Sequence, residues 1–236
     1  MCIRAIMTTI FVIVLSGMQI ASAAVFTEDF NDNSLNTGLW TPNIYGDHTI
    51  LQERNQRLEI IFPQEEIGES MLLGSLDSTF KLRGDYDIQI DFAMFNGSRF
   101  DNGLVWLGAF DYVARGHTTS LGDGYAFENI VPTTDLSGKL RLTRKGNVAT
   151  GYCYVDGDWV SLGSVETPML DYSVGFGYNS NGWGYDPISS PLSIALDNFV
   201  INEGEVVPMA TPEPSSLLAL AGGMACLAGV FKRGRS

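Results

Sequence analysis

The sequence predicts an all-β protein with a short signal segment at each end. Apolar and polar residues alternate in several short stretches, and glycine, asparagine and aspartate separate these stretches. No part of the body has the 3.6-residue periodicity of a helix of useful length. Short alternating strands joined by such turns are typical of an antiparallel β-sandwich or a barrel.

The clearest predicted strand covers residues 85–95, where every second residue is apolar, so one face is expected to be buried and the other wet. Lys145-Gly146-Asn147 and Asp156-Gly157 are expected to form hairpin turns. The alternation predicts further strands at 57–62, 104–110, 124–130, 139–143, 148–155, 159–162, 172–178 and 192–201.

Residues 1–23 have the pattern of a signal peptide. Arg4 precedes the apolar run 5–15, and Ala21-Ser22-Ala23 forms a site of small residues that signal peptidase would cleave. We expect the mature chain to begin at Ala24. An uncleaved N-terminal anchor is the alternative, but the apolar run is short for a membrane span.

Residues 212–236 form a second signal segment. Pro212-Glu213-Pro214 precedes the uncharged stretch 215–231, which has nearly the length of a transmembrane helix, and the basic residues Lys232, Arg233 and Arg235 follow. Positive charges stay on the cytoplasmic side, so the body is expected on the other side of the membrane. A plain C-terminal anchor is one interpretation of this pattern.

The same three parts resemble the PEP-CTERM sorting signal of Gram-negative bacteria that produce exopolysaccharide. The resemblance implies that an exosortase in the inner membrane removes the helix near Pro214 and that the body reaches the cell surface or the medium. The domain boundaries predicted from these patterns are a signal peptide at 1–23, a body at 24–202, a linker at 203–211 and the sorting segment at 212–236.

The composition of the body limits its partners. Residues 24–211 contain 10 basic and 26 acidic side chains, a net charge of −16, which would repel nucleic acid and anionic lipid. Cys153 is the one cysteine outside the signal segments, so no disulfide can form within the mature chain. The sequence has no HExxH or CxxC motif, and we expect no zinc site.

Four short segments resemble the concanavalin A-like lectin and glucanase jelly rolls. They are residues 28–40, 56–60, 138–144 and 195–201, and together they span nearly the whole body, 26–202. The resemblance implies a β-sandwich of the jelly-roll type, made of two stacked antiparallel sheets.

Retaining glucanases of this fold carry a Glu-x-Asp-x-x-Glu run, whose two carboxyl groups lie about 5 Å apart. That run is absent here. The nearest counterpart is the strand with Asp85, Asp87 and Asp91, and we expect these aspartates to be its solvated face. The sequence therefore predicts a protein that is not an enzyme.

The resemblance also implies a structural calcium ion. In the family, an aspartate of the last strand and carbonyl groups near the first strand bind it. Asp197 holds the matching position, and Asp29 or Asp32 could lie nearby. Carboxylate and carbonyl oxygens are the ligands that calcium prefers. The alternative is that these aspartates bond backbone N–H groups at turns.

Aromatic side chains that can stack on sugar rings are the candidate binding residues. Trp183 and Tyr185 lie with Asn181 in a glycine-rich loop, and Trp106 lies on a predicted strand. Core packing is the alternative role for each aromatic residue. We expect an exported, non-catalytic protein that binds polysaccharide. A structural surface protein without a specific ligand, and an atypical glycoside hydrolase or polysaccharide lyase, are the alternatives.

Overall fold

The computed structural model describes residues 25–67, 71–96, 103–118, 122–180 and 190–209. They confirm the predicted all-β class, because the one helical element among them is a 3₁₀ turn at Gln64–Glu66. The strands are β1 (Phe26–Glu28), β2 (Trp40–Tyr45), β3 (Ile50–Arg54), β4 (Arg57–Phe62), β5 (Leu73–Asn96), β6 (Leu104–Gly108), β7 (Tyr112–Thr118), β8 (Gly122–Ala126), β9 (Ile130–Pro132), β10 (Ser137–Lys145), β11 (Val148–Val155), β12 (Asp158–Glu166), β13 (Tyr172–Asn179) and β14 (Leu192–Pro208).

All strand pairs are antiparallel, and the long strand β5 belongs to two sheets. Its first half pairs with β2 and β13 in a sheet of order β2-β5-β13-β6-β7-β8-β9, which we call the front sheet. Its second half lies in the back sheet, of order β12-β11-β10-β5-β14-β4-β3, with β1 beside β14.

The two sheets pack face to face around an aromatic core. The rings of Phe92 on the back sheet and Tyr125 on the front sheet lie 6.2 Å apart, and those of Phe62 and Tyr178 lie 5.2 Å apart. Trp40 is fully buried, and the last strand contributes Phe199 to its surroundings. Burial of these large side chains is the main favourable term in folding such a sandwich.

Strand β5 changes sheets at Gly84, which has a φ of +69°. A residue with a Cβ would be strained there by about 1 kcal/mol. Arg144 holds the corner, because its Nε donates a hydrogen bond of 2.8 Å to the Gly84 carbonyl and its Nη1 donates one of 2.8 Å to Leu170. Arg144 is buried between the rings of Tyr86 and Tyr172.

Two predicted boundaries differ from the structure. Residues 203–208 were predicted to be linker but continue β14, where Val206 pairs with Leu82 and Pro208 with Phe80. Register shifts on both sides of Glu203 break the alternation on which the prediction depended. The single strand predicted at 124–130 is two strands, β8 and β9, separated by a turn.

Several segments with predicted roles lie outside the described residues: the signal peptide at 1–23, the sorting motif Pro212-Glu213-Pro214, the stretch 215–231 and the basic residues Lys232, Arg233 and Arg235. Within the part of the chain that the structure describes, no helix has the length and apolar character needed to cross a membrane.

Candidate functional site

The outer face of the front sheet holds the candidate site. Leu76, Phe176 and Leu107 are paired across three strands and point into the core. Side chains alternate along a strand, so the next pair, Asp77 and Gly175, faces outward. This face is lined by small residues in its centre, which leaves space above the backbone.

A cavity of about 380 Å³ opens on this face. Its size is typical of small-molecule sites in proteins. Strand β2 contributes Thr41 and Asn43, β5 contributes Asp77, and β6 contributes Trp106. The remaining lining residues are Ser78, Ala109, Ser173, Gly175 and Met209.

Gly175 brings the carboxylate and the indole together. A Cβ at this position would lie 2.5 Å from Oδ1 of Asp77 and 2.7 Å from Cη2 of Trp106. Both distances are shorter than any non-bonded contact, so a side chain at position 175 would collide with Asp77 and Trp106. The two side chains therefore lie on either side of the Gly175 backbone. Glycine at 175 therefore allows an acid and an aromatic ring to share one cavity.

Asp77 is the ionisable group of this cavity. Partial burial raises the pKa of its carboxyl group, and the hydrogen bond of 2.7 Å from Nδ2 of Asn43 to Oδ2 opposes part of that rise. Among the residues that the structure describes around the cavity, Asp77 is the one carboxylate. A carboxyl group with a raised pKa keeps its proton to a higher pH than an ordinary aspartate, and in its protonated form it can donate that proton to a bound ligand.

The sequence identified Trp106 as a sugar-binding candidate, and the structure places it in this cavity. The other three candidates, Asn181, Trp183 and Tyr185, lie outside the described residues. Two lining residues, Asp77 and Asn43, were not predicted from the sequence. The available signal was the alternation of Ser75 and Asp77 with buried Leu76, which marks a strand before residue 85.

The aspartates of residues 85–91 have a structural role on the back sheet. Nε of Arg141 donates a hydrogen bond of 2.8 Å to Asp87, and Nζ of Lys139 lies 2.8 Å from both oxygens of Asp91. These carboxylates are paired with cations on neighbouring strand β10. They form the polar face of the strand, but Asp87 is buried and paired with Arg141, so it is not solvated as the sequence predicted.

The calcium candidates separate into two groups. Burial raises the pKa of Asp197, and the negative charges of Asp91 and Asp29 raise it further. Asp32 lies instead beside Glu53, whose Oε1 accepts a hydrogen bond of 2.9 Å from the Asp32 N–H. Over the described ranges, no three His, Cys, Asp or Glu side chains are arranged to hold a metal ion by themselves.

No protein-family model matches the sequence, and no curated protein matches it. Several solved structures, in contrast, are similar to this chain. An endo-acting O-glycanase of human gut bacteria that initiates mucin breakdown is 11% identical, with a TM-score of 0.51 over 80% of this chain and 100% of that one. An endo-β-galactosidase from Clostridium perfringens that releases GlcNAcα1-4Gal is 11% identical, with a TM-score of 0.52 over 81% of this chain and 64% of that one. A β-1,3-glucanase from Mycobacterium marinum is 10% identical, with a TM-score of 0.50 over 76% and 98%.

These likenesses establish the fold, which is that of glycan-degrading enzymes. They contradict the prediction of a non-catalytic protein, because the similar structures are endo-acting glycosidases and glucanases. The prediction depended on the absence of a Glu-x-Asp-x-x-Glu run. A local motif can be missing while the front sheet still presents a carboxyl group beside an aromatic ring.

Proposed function

We propose that this chain is an exported glycoside hydrolase with an atypical active site on the outer face of the front sheet. One observation carries the proposal: Asp77, whose pKa is raised by burial, lies with Trp106 in one open cavity. The glycan-degrading activity of the structurally similar enzymes supports the same conclusion.

The chemistry assigned to this site is acid-assisted hydrolysis of a glycosidic bond. A sugar ring stacks on Trp106, since flat aromatic rings complement the apolar face of a sugar. Protonated Asp77 donates its proton to the glycosidic oxygen as the bond to the anomeric carbon breaks. Water then adds to that carbon, and the proton that the water loses restores the protonated Asp77 carboxyl group. Asn43 holds the carboxyl group in place through Oδ2.

The Asp77→Asn substitution tests this role. Loss of a general acid typically lowers the rate 10²- to 10⁴-fold, so we expect release of reducing sugar from β-1,3-glucan or mucin O-glycans to fall about a hundredfold or more. Because Asp77 must be protonated to act, kcat/KM of the native chain should decline as the pH rises through its raised pKa. The alkaline decline should be absent from any residual activity of Asp77→Asn.

Two further variants sharpen this test. Trp106→Ala should raise KM more than it lowers kcat, because the ring binds substrate and does not transfer protons. Asp158→Asn, an exposed aspartate at a hairpin end, should match the native rate. Full activity in Asp77→Asn, or no cleavage of any glycan by the native chain, would refute the assignment.

We also propose that calcium binds at Asp197, with Asp29 nearby. Burial raises the pKa of Asp197 and the negative charge of Asp29 raises it further, which supports a place for a positive ion beside these two carboxylates. Backbone carbonyls and water would supply the remaining oxygen ligands. Asp32 is left out of the proposal, because its N–H donates to Glu53 and its carboxylate accepts a hydrogen bond from the Ser34 N–H.

Chelation tests the calcium proposal. A ligand that binds only the folded state raises the melting temperature, so EDTA should lower it and added calcium should restore it. Asp197→Asn should abolish this response, and Asp158→Asn should keep it. If EDTA left the melting temperature of the native chain unchanged, the proposed calcium site would be refuted.

For export we propose processing at both ends, by signal peptidase after Ala23 and by an exosortase near Pro214. The n-region, apolar run and cleavage pattern support the first, and Pro212-Glu213-Pro214 with its basic end supports the second. The resemblance of the tail supports a location at the cell surface or in the medium of a Gram-negative bacterium.

Mass spectrometry of surface and medium fractions tests the processing. The expected mature chain begins at Ala24 and ends close to Pro214. Changing Pro212 and Pro214 to alanine should leave the C-terminal stretch attached while cleavage after Ala23 continues. Recovery of the chain from the cytosol with both ends intact would contradict the proposal.

A further inference from the structure

An exposed apolar patch lies beside the cavity of Asp77, and nothing in the proposed reaction uses it. Its members are Phe110 at the β6–β7 turn, Met169 and Leu170 in the connection from β12 to β13, and Tyr172 at the start of β13. Phe110 is 57% exposed, Met169 is 68% exposed and Leu170 is 60% exposed. Exposed large apolar side chains are usually scattered, and a cluster of them marks a binding surface. We call these four residues the apolar platform.

Contacts within the fold hold the platform together. The rings of Phe110 and Tyr172 lie 5.1 Å apart, with 32° between their planes. The Tyr172 hydroxyl donates a hydrogen bond of 3.1 Å to the Pro168 carbonyl, so the segment between these two residues is held against the ring. The guanidinium of Arg144 lies 5.5 Å from the centre of the Tyr172 ring and donates a hydrogen bond to the Leu170 carbonyl. The platform is therefore one fixed surface built from two elements.

The platform continues the wall of the proposed catalytic cavity. Ala109 and Ser173 line that cavity, and each is the chain neighbour of a platform residue, Phe110 and Tyr172 respectively. Tyr172 is also only three residues before Gly175, a distance of roughly 10 Å along a strand. A ligand bound in the cavity can therefore extend onto the platform without leaving the protein surface.

The order of pairs along β13 gives the ligand a direction. Gly177 pairs with Trp106 on β6, Gly175 pairs with Asp77 on β5, and Tyr172 begins the strand. A glycoside whose sugar stacks on the indole has its glycosidic oxygen near the carboxylate and its next group directed towards the platform. Because a general acid protonates the departing group, the group on the platform is the leaving group.

The polar groups next to the platform are mostly paired within the fold. Arg83 donates a hydrogen bond of 3.1 Å to Asp171 and one of 3.2 Å to Glu205, and the Tyr172 hydroxyl is also paired. Asp111 is the exception, but its Oδ2, which has no hydrogen-bond partner among the described residues, is buried. A sugar unit needs donors and acceptors for its hydroxyl groups, and a methionine and a leucine side chain offer it none. The surface therefore fits an apolar group better than a sugar.

We propose that the apolar platform binds an apolar aglycone, an alkyl or aryl group on the leaving side of the glycoside. The substrates of the cleavage site are then amphiphilic glycosides of the glycolipid class. The alkyl or aryl group covers the ring of Phe110 and the side chains of Met169 and Leu170, which removes apolar surface from water on both partners. The inference rests on the proposed function for the bond that is cleaved, but the binding itself does not require catalysis.

Calorimetric binding to the full chain carrying Asp77→Asn tests the inference, because loss of the acid slows turnover of the ligand. The probes are methyl and octyl β-laminaritrioside, which have the same sugars and differ only in the alkyl group, each used below the concentration at which it forms micelles. The octyl glycoside should bind about tenfold more tightly or better. Its binding should also have the more negative heat-capacity change, which marks burial of apolar surface.

Adding Phe110→Ala should weaken octyl glycoside binding about fivefold or more and leave the affinity for the methyl glycoside unchanged. Leu170→Ala repeats the test in the second element of the platform. Both side chains are more than half exposed, so neither substitution removes core packing. Val160→Ala, an exposed valine on β12 of the back sheet, is the matched control and should change neither affinity.

Equal affinity for the methyl and octyl glycosides would overturn the inference, and so would unchanged octyl binding in both Phe110→Ala and Leu170→Ala. The same variants distinguish two other occupants. If Phe110→Ala weakens binding of unsubstituted laminarihexaose as much as that of the octyl glycoside, the platform holds a sugar unit. If phosphatidylcholine vesicles bind through Phe110 and the octyl glycoside does not, the platform is a membrane contact. Either result rejects the aglycone site.

Failure of the proposed function is a separate outcome. If the native chain cleaves neither glycoside but the octyl probe still binds through Phe110, the cleavage site is refuted and the apolar platform stands. If the native chain cleaves both glycosides with the same kcat/KM and binds them equally, the cleavage site stands and the platform is refuted.

Discussion

The corner of β5 at Gly84 is the constraint on which the arrangement of both sheets depends. One strand can serve two stacked sheets only if its backbone turns sharply, and the positive φ of Gly84 makes that turn. The Arg144 guanidinium closes the corner by donating hydrogen bonds to Gly84 and Leu170. A buried cation is costly, and the two carbonyl groups together with the rings of Tyr86 and Tyr172 offset that cost. Because the corner fixes the first half of β5, it also fixes the position of Asp77.

The two outer faces of the sandwich use their charges differently. On the back sheet, Asp87 and Asp91 are paired with Arg141 and Lys139, so these charges are neutralised within the fold. On the front sheet, Asp77 has a neutral partner, Asn43, and a glycine beside it in place of a cation. Desolvation is then the main influence on its pKa. This contrast is the physical reason for assigning proton transfer to the front sheet.

Much of the sandwich was predictable from local patterns, and the site was not. Alternation located the second half of β5, and the Asp156-Gly157 turn followed from residues that tolerate positive φ, as both have in the structure. Trp106 was a candidate because an aromatic residue on a strand is noticeable in a sequence. Asn43 and Asp77 are 34 residues apart, and only the pairing of β2 with β5 brings them together. The continuation of β14 was hidden by bulges around Glu203, which interrupt the two-residue period. Such pairings and bulges are tertiary properties, and one sequence alone does not encode them in a local pattern.

The location of the glycan site is tested most directly by NMR of the tryptophan indole groups in the ¹⁵N-labelled full-length protein. Trp106 lies on the front sheet beside Asp77, whereas Trp159 lies on the back sheet against Tyr154 and Arg141. On addition of β-glucan or mucin-derived oligosaccharides, the Nε1–H resonance of Trp106 should shift in proportion to bound ligand and that of Trp159 should not. A shift of Trp159 with Trp106 unmoved would place the ligand on the opposite face and contradict the account.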